Sequence, residues 1–481
     1  CIHTLILIST TAFLLLALTF ATANGFINGY PKLKSYPLRA GEDSGEPLFL
    51  TPLIESGKID EARGKALVQH KDMDDVSSYA GYLTVNKEYN SNMFFWFFPA
   101  MVSEREYDPS SIKTAPVVLW LQGGPGASSM FGLFMENGPF IVTANKTLRM
   151  RKYTWSLAHN LIYIDNPVGT GFSFTENDKG YATNETHVGR DVHTALVQFF
   201  QLFPELQEND FFVTGESYAG KYVPAVSHAI KDYNFKAEPK INLKGLAIGN
   251  GLTDPENQLL YGDYLYQLGL IDFNGRELFH TFEQRGRDLI KQKKFDEAFD
   301  LFDKLLDSDL TGQPSLFKNL TGFDFYFNYL HTQDNNESDW MAEWIQKPDV
   351  RRAIHVGNYS FNVEDKTVEK HLKSDIMQSL AVLISDLTQH YKVLIYNGQL
   401  DIIVAYPLTE NYLENLNWPG ADKYKKAARK IWMVGDELAG YSKTVDNLTE
   451  VLVRNAGHMV PSDQPKWALD LITRFTHNKK F

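Results

Sequence analysis

The chain has 481 residues, 43% hydrophobic and 22% charged, with a formal net charge of −12. This is the composition of a soluble globular protein whose core is large enough to need no disulfide staples. The acidic balance and the lack of a long Lys/Arg run exclude a nucleic-acid binder, which needs a basic face for phosphate.

Leu5 to Phe20 is almost wholly apolar, and Ala21-Thr22-Ala23 follows as a small-x-small signal. Residues 1–23 read as a secretory signal peptide. The run lies near the lower length limit for a membrane span, so no stable anchor is expected after cleavage. Six Asn-x-Ser/Thr sites, at Asn145, Asn184, Asn319, Asn336, Asn358 and Asn447, support the secretory route and an extracellular or lysosomal/vacuolar destination. Cys1 is the only cysteine, so the mature chain has no disulfide.

Residues 24–77 are mixed and polar, and read as an N-terminal extension or pro-segment with a short helix near Ile59 to Gln69. Strand and helix patterns then alternate. Pro116 to Leu121 is a buried-strand run that stops at the loop Gly123-Gly124-Pro125-Gly126. Leu161 to Ile164 is a second strand, and Val188, Val192, Leu196, Phe199 and Phe203 recur at helical spacing. Phe211 to Val213 is a strand that runs into a helical stretch from Ser217 to Ile230. Leu246 to Ile248 and Val393 to Tyr396 complete the set. Strands alternating with helices imply an α/β fold, with a mostly parallel sheet covered on both faces. Residues 78–254 and 346–481 read as two parts of that core. Residues 255–345 break the rhythm: Leu289, Ile290, Phe295, Phe299, Phe302 and Leu306 lie on helical spacing with no strong strand, as in a helical insertion or lid.

A serine nucleophile on such a sheet sits on a tight strand-to-helix turn. Gly-x-Ser occurs four times, ending at Ser128, Ser173, Ser217 and Ser442. Only Ser217 directly follows an apolar strand and opens a helical stretch. Gly215 permits the sharp turn, and Ala219 and Gly220 let the helix pack closely. The partners follow in the order Ser, Asp, His. Asp401 comes just after the strand Val393 to Tyr396, where a carboxylate that orients an imidazole belongs. His458 follows the strand-like Val451 to Val453, in a loop fixed by Gly457 and Pro461. Pattern alone leaves an ordinary turn, a turn aspartate and a structural histidine as alternative accounts of these three.

Longer motifs narrow the choice. Gly215-Glu216-Ser217-Tyr218-Ala219-Gly220 resembles the nucleophile signature of the serine carboxypeptidases, the family that includes lysosomal cathepsin A. Trp120 to Gly126, Asp165 to Ser173 and the His458 segment resemble three further motifs of that family. The resemblance spans residue 78 to the end and is greatest for the vitellogenic carboxypeptidase-like branch. It implies an α/β-hydrolase fold with a helical insertion, and removal of single residues from the C-termini of peptide or protein substrates. It implies a triad of Ser217, Asp401 and His458, with Gly124 and the backbone N–H of Tyr218 forming the oxyanion hole. It also places Gln122, Glu136 and Glu216 on the substrate's free carboxylate. Two acids suit that task only while they hold a proton, so tight binding is expected below neutral pH. The sequence departs from the family at Gln122, usually Asn, and at Ala127, often Cys. The first alters reach and the second removes a disulfide brace.

No zinc motif, cysteine pair or phosphate loop is present, so neither cofactor nor metal is expected. A homodimer is left open. The competing readings are an esterase or acyltransferase on the same triad, and a non-catalytic protein on a hydrolase scaffold.

Overall fold

The computed structural model describes residues 41–73, 76–101, 112–308, 313–335, 337–362 and 366–481. The apolar stretch assigned to a signal peptide and the site Asn336 lie outside these residues. Among them, twelve strands occur in chain order: β1 (Tyr79–Asn86), β2 (Ser91–Phe98), β3 (Val117–Leu121), β4 (Phe140–Val142), β5 (Leu148–Met150), β6 (Asn160–Ile164), β7 (Phe211–Glu216), β8 (Leu243–Gly249), β9 (Lys392–Gly398), β10 (Lys430–Val434), β11 (Glu437–Val445) and β12 (Leu448–Val453). Strands β4 and β5 form a small separate ribbon, and the other ten form one sheet in the order β1-β2-β6-β3-β7-β8-β9-β12-β11-β10.

The middle six strands run parallel. Their side chains are apolar on both faces because helices cover both. Alternate residues of β3 show the division: Val117, Leu119 and Leu121 join one apolar cluster, while Val118 and Trp120 join the other. The helix Glu185–Leu202 seats Val188, Val192, Leu196 and Phe199 on the first cluster, and Asn184 caps its start by accepting from His187 N at 3.0 Å.

Antiparallel strands extend both flanks of the parallel core. Sequence patterning names none of β1, β2, β10 or β11. Strand β2 is buried along its whole length, so it lacks the alternation that marks a half-exposed strand. Residues 48–68 pack against this flank. Leu50, Ile54, Ala62 and Ala66 are buried there, and Leu50 N donates to Tyr82 O at 2.9 Å. The helix expected near Ile59 to Gln69 is Ile59–Ala66.

Between β8 and β9 the described chain forms helices and loops, with no strand. The apolar pattern from Leu289 to Leu306 divides between two helices, Phe273–Lys291 and Phe295–Leu306, with Lys293 in the left-handed region (φ 59°) at the break. Among the described residues, no helix is long and apolar enough to cross a membrane.

Candidate active site

The carboxyl ends of neighbouring parallel strands are where an α/β sheet presents functional loops. Ser217 directly follows β7 and stands two residues before the helix Ala219–Tyr233. Its own backbone takes the left-handed conformation (φ 64°), which is costly for a residue with a Cβ. Three backbone bonds hold it there: Ser217 N donates to Gly249 O at 3.0 Å, and Ser217 O accepts from Gly220 N at 2.9 Å and Leu252 N at 3.0 Å. The sharp turn that Gly215 is expected to permit is made by the left-handed backbone of the serine itself. Gly215 serves close packing instead, since a Cβ there would lie 2.5 Å from Leu121 O and 2.6 Å from the Ala219 Cβ.

Asp401 lies three residues beyond β9, fully buried. Its Oδ2 accepts from His458 Nδ1 at 2.8 Å, Asn250 Nδ2 at 2.8 Å and Val404 N at 3.2 Å, and its Oδ1 accepts from Ile403 N at 3.0 Å. An imidazole held this way by a carboxylate keeps its other nitrogen, Nε2, for proton exchange. His458 is clamped in turn. Its backbone N donates to Phe327 O at 2.6 Å and its ring lies 5.1 Å from the Phe327 ring. Gly457 N donates to Asp463 Oδ2 at 2.6 Å, which fixes the loop.

Asn250, which the motifs do not single out, links two parts of this edge. It follows Gly249, the acceptor of Ser217 N. Its amide donates to Asp401, and its Oδ1 accepts from Gly398 N at 3.0 Å. The available signal was its position in Gly249-Asn250-Gly251 directly after an apolar strand.

The loop after β3 closes over the serine turn. A Cβ on Gly123 would lie 2.4 Å from Tyr218 N, so the two backbones nearly touch. Gly124 has φ +107°, open to glycine, and it lines one cavity together with Ser217 and Tyr218. The serine turn and the Gly-Pro-Gly loop thus meet at that cavity.

Asp165, at the end of β6, braces the same loop. It is buried and accepts from Ser128 Oγ at 2.6 Å, Ser129 N at 3.0 Å and Phe172 N at 2.8 Å. Burial pushes its carboxyl up to about 7, against the pull of those donors. These bonds tie the segment just after the Trp120–Gly126 motif to the Asp165–Ser173 motif, where Ala127 offers no disulfide.

Gln122, Glu136 and Glu216 lie together, all fully buried. Gln122 Nε2 donates to Glu136 Oε1 at 2.9 Å and to Glu216 Oε1 at 3.4 Å, while Gln122 Oε1 accepts from Trp120 Nε1 at 2.8 Å. Burial raises the Glu136 carboxyl above its ordinary range. Hydrogen bonds with Glu216 and Gln122, and the charges of His458 and Arg151, offset part of that rise. A hydrogen bond between two carboxyls requires a shared proton. Glu136 sits on the π-helical turn Gly132–Asn137, a geometry that gathers at functional sites. Buried Arg151 holds that turn through Phe134 O at 2.6 Å and Gly138 O at 3.0 Å.

Of the described sequons, Asn145, Asn319, Asn358 and Asn447 are exposed, whereas Asn184 is half-buried as a helix cap.

A family model described as serine carboxypeptidase matches residues 69–478. The venom serine carboxypeptidase of Apis mellifera is 76% identical over 460 residues, covering 95% of this chain and 97% of that protein. The vitellogenic carboxypeptidase of Aedes aegypti is 50% identical, covering 94% of each. Among solved structures, Kex1(delta)p, a prohormone-processing carboxypeptidase from Saccharomyces cerevisiae, superposes with a TM-score of 0.74 at 24% identity. The match covers 86% of this chain and 96% of that one, which supports the α/β-hydrolase fold. A match over most of the chain, with two long and highly identical relatives, is decisive: the chain belongs to the serine carboxypeptidase family.

Proposed function

We propose that Ser217, His458 and Asp401 carry the peptide hydrolysis that this serine carboxypeptidase performs. His458 takes the Ser217 proton as general base, and Ser217 attacks the carbonyl of the last peptide bond. Asp401 fixes the imidazole tautomer and stabilises its positive charge. The N–H groups of Gly124 and Tyr218 receive the oxyanion, a contribution of about 3 to 4 kcal/mol for each donor. His458 then returns the proton to the departing amine, and water hydrolyses the acyl-enzyme by the same route. Gln122, Glu136 and Glu216 hold the free carboxylate, which restricts cleavage to the chain end.

The observation that carries this reading is the four-donor cradle of Asp401, with His458 Nδ1 at 2.8 Å, on the strand edge that also holds the Ser217 turn. The helices between β8 and β9 act as a cover, supported by Phe299, Phe302 and Tyr326 in the wall beside Ser217. We assign the protein to the secretory route, ending outside the cell or in an acidic compartment. The apolar leader and the exposed sequons support that assignment.

The test compares the protein with Ser217→Ala on an N-blocked dipeptide, on the same dipeptide amidated, and on a simple ester. The reading predicts release of the last residue only from the free acid, and loss of all turnover in Ser217→Ala. Equal cleavage of acid and amide would refute the carboxylate clamp, and ester turnover without peptide turnover would refute the peptidase.

A further inference from the structure

Among the buried ionisable groups that the proposed chemistry leaves unused, Glu185 stands beside the oxyanion site. It opens the helix Glu185–Leu202, where the cap Asn184 is half-buried and Glu185 itself turns inward, only 4% exposed. Its carboxyl reaches the residues that follow the nucleophile. The Tyr218 hydroxyl faces it, and Lys221 and Tyr222 of the helix Ala219–Tyr233 stand near it.

Lys221 offers the nearest positive charge but is committed elsewhere. It is fully buried, and its Nζ donates to the carbonyls of Asp375, Ile376 (3.3 Å) and Gln378 (2.8 Å) and lies 3.1 Å from Asp375 Oδ2. Burial pushes the Glu185 carboxyl up to about 8; the charge of Lys221 offsets part of that rise and Asp375 adds to it. Below that pH the group keeps its proton and both donates and accepts.

Tyr218 is buried as well, and its ring meets the Tyr222 ring edge-on at 5.1 Å. Neither its hydroxyl nor the Glu185 oxygens make a full hydrogen bond to any described group. Two such polar groups facing each other in a dry core weaken the fold, and an apolar pair would cost less there. A cost of this kind is retained where the side chains serve a site. Tyr218 is at one: its side chain lines the cavity on Ser217, and its backbone N–H, beside the Gly123 backbone, donates to no described group. The phenol is a rigid lever, so a hold on its hydroxyl limits rotation of the backbone at its other end.

We infer that Glu185 is a positioning residue for the oxyanion hole: its carboxyl engages the Tyr218 hydroxyl and so keeps the Tyr218 N–H aimed at the developing oxyanion. This rests on the reading of Tyr218 as an oxyanion donor.

The test measures kcat and KM on an N-blocked dipeptide in mildly acidic buffer, with urea unfolding beside it. It compares the unaltered protein with Glu185→Gln, Glu185→Leu, Tyr218→Phe and the double variant Glu185→Leu/Tyr218→Phe. A misaimed donor costs less than the roughly 10²- to 10³-fold of an absent one, so kcat should fall about tenfold in Glu185→Leu and in Tyr218→Phe, with KM moving less than about twofold. Glu185→Gln keeps a polar group of the same size, so its kcat should stay within about threefold. The double variant should fall no further than either single one, because both remove the same contact. The urea midpoint of Glu185→Leu should not drop, since leucine removes a buried polar group. Unchanged kcat in either Glu185→Leu or Tyr218→Phe, or losses that multiply in the double variant, overturns the inference. So does a fall in Glu185→Gln as deep as in Glu185→Leu, or activity lost in step with the urea midpoint, either of which marks a purely structural residue. Should Glu185→Leu fail to fold, Tyr218→Phe decides alone, and an unchanged kcat there overturns the inference. No turnover by the unaltered protein overturns the peptidase reading and this inference with it.

Discussion

Raising the pH through the acid range should weaken substrate binding, and Glu136 is the reason. Its carboxyl is buried, bonded to Gln122 at 2.9 Å, and raised above its ordinary range chiefly by burial. A raised carboxyl keeps its proton to a higher pH than a free one. The protonated form donates to the substrate's carboxylate, whereas the ionised form repels it. Binding is therefore complete below the ordinary carboxyl pKa and is lost as the pH climbs through the raised value. If one proton is required, KM rises about tenfold per pH unit above that point, which is about 1.4 kcal/mol per unit. The ceiling is the repulsion of two unit charges about 4 Å apart, about 4 kcal/mol at an effective dielectric constant near 20, or about three decades in KM. The assay measures KM for an N-blocked dipeptide between about pH 4.5 and 7.5, beside Glu136→Gln. The variant keeps a hydrogen-bond donor but cannot ionise, so its KM should vary much less. A flat KM in the unaltered protein, or an equal slope in Glu136→Gln, would refute the reasoning.

Two substitutions test the supports around the site. Asn250→Ala removes a donor to Asp401 and leaves the buried Gly398 N–H without its acceptor, so urea unfolding should report a loss of about 3 to 5 kcal/mol. Its kcat should fall more than its KM changes, and an unaltered kcat would contradict the role given to Asn250. Gly132→Ala would place a Cβ 2.1 Å from Trp120 Nε1 and 2.7 Å from Gln122 Oε1, prising apart their 2.8 Å bond. KM for peptide acids should rise at least about fivefold while turnover of a simple ester is spared, since one hydrogen bond contributes about 1 kcal/mol. Equal effects on both substrates would show that Gly132 acts on the fold and not on the clamp.

How far the site could be read from the sequence follows from where its information lies. Ser217, Asp401 and His458 were legible because each follows a run of buried strand residues, and strand ends on a parallel sheet converge. The helix from Glu185 was legible from its apolar stripe. Asn250 and Arg151 were not, because their roles depend on groups brought near by the fold: Asp401 lies 151 residues from Asn250. Gly132 was silent for a similar reason, since its missing side chain matters only against Trp120 on a neighbouring element. On the second flank, β10 alternates, with Ile431 and Met433 exposed and Trp432 and Val434 buried. All four residues are apolar, so that period of two is absent from the sequence and no alternation marks the strand.

The most direct test of the catalytic assignment is the site of covalent capture by a fluorophosphonate, located by peptide mapping. The assignment predicts one adduct, on Ser217, absent from Ser217→Ala and formed far more slowly in His458→Ala. An adduct on Ser128, Ser173 or Ser442 in its place, or labelling of Ser217 that proceeds as fast without His458, would contradict it.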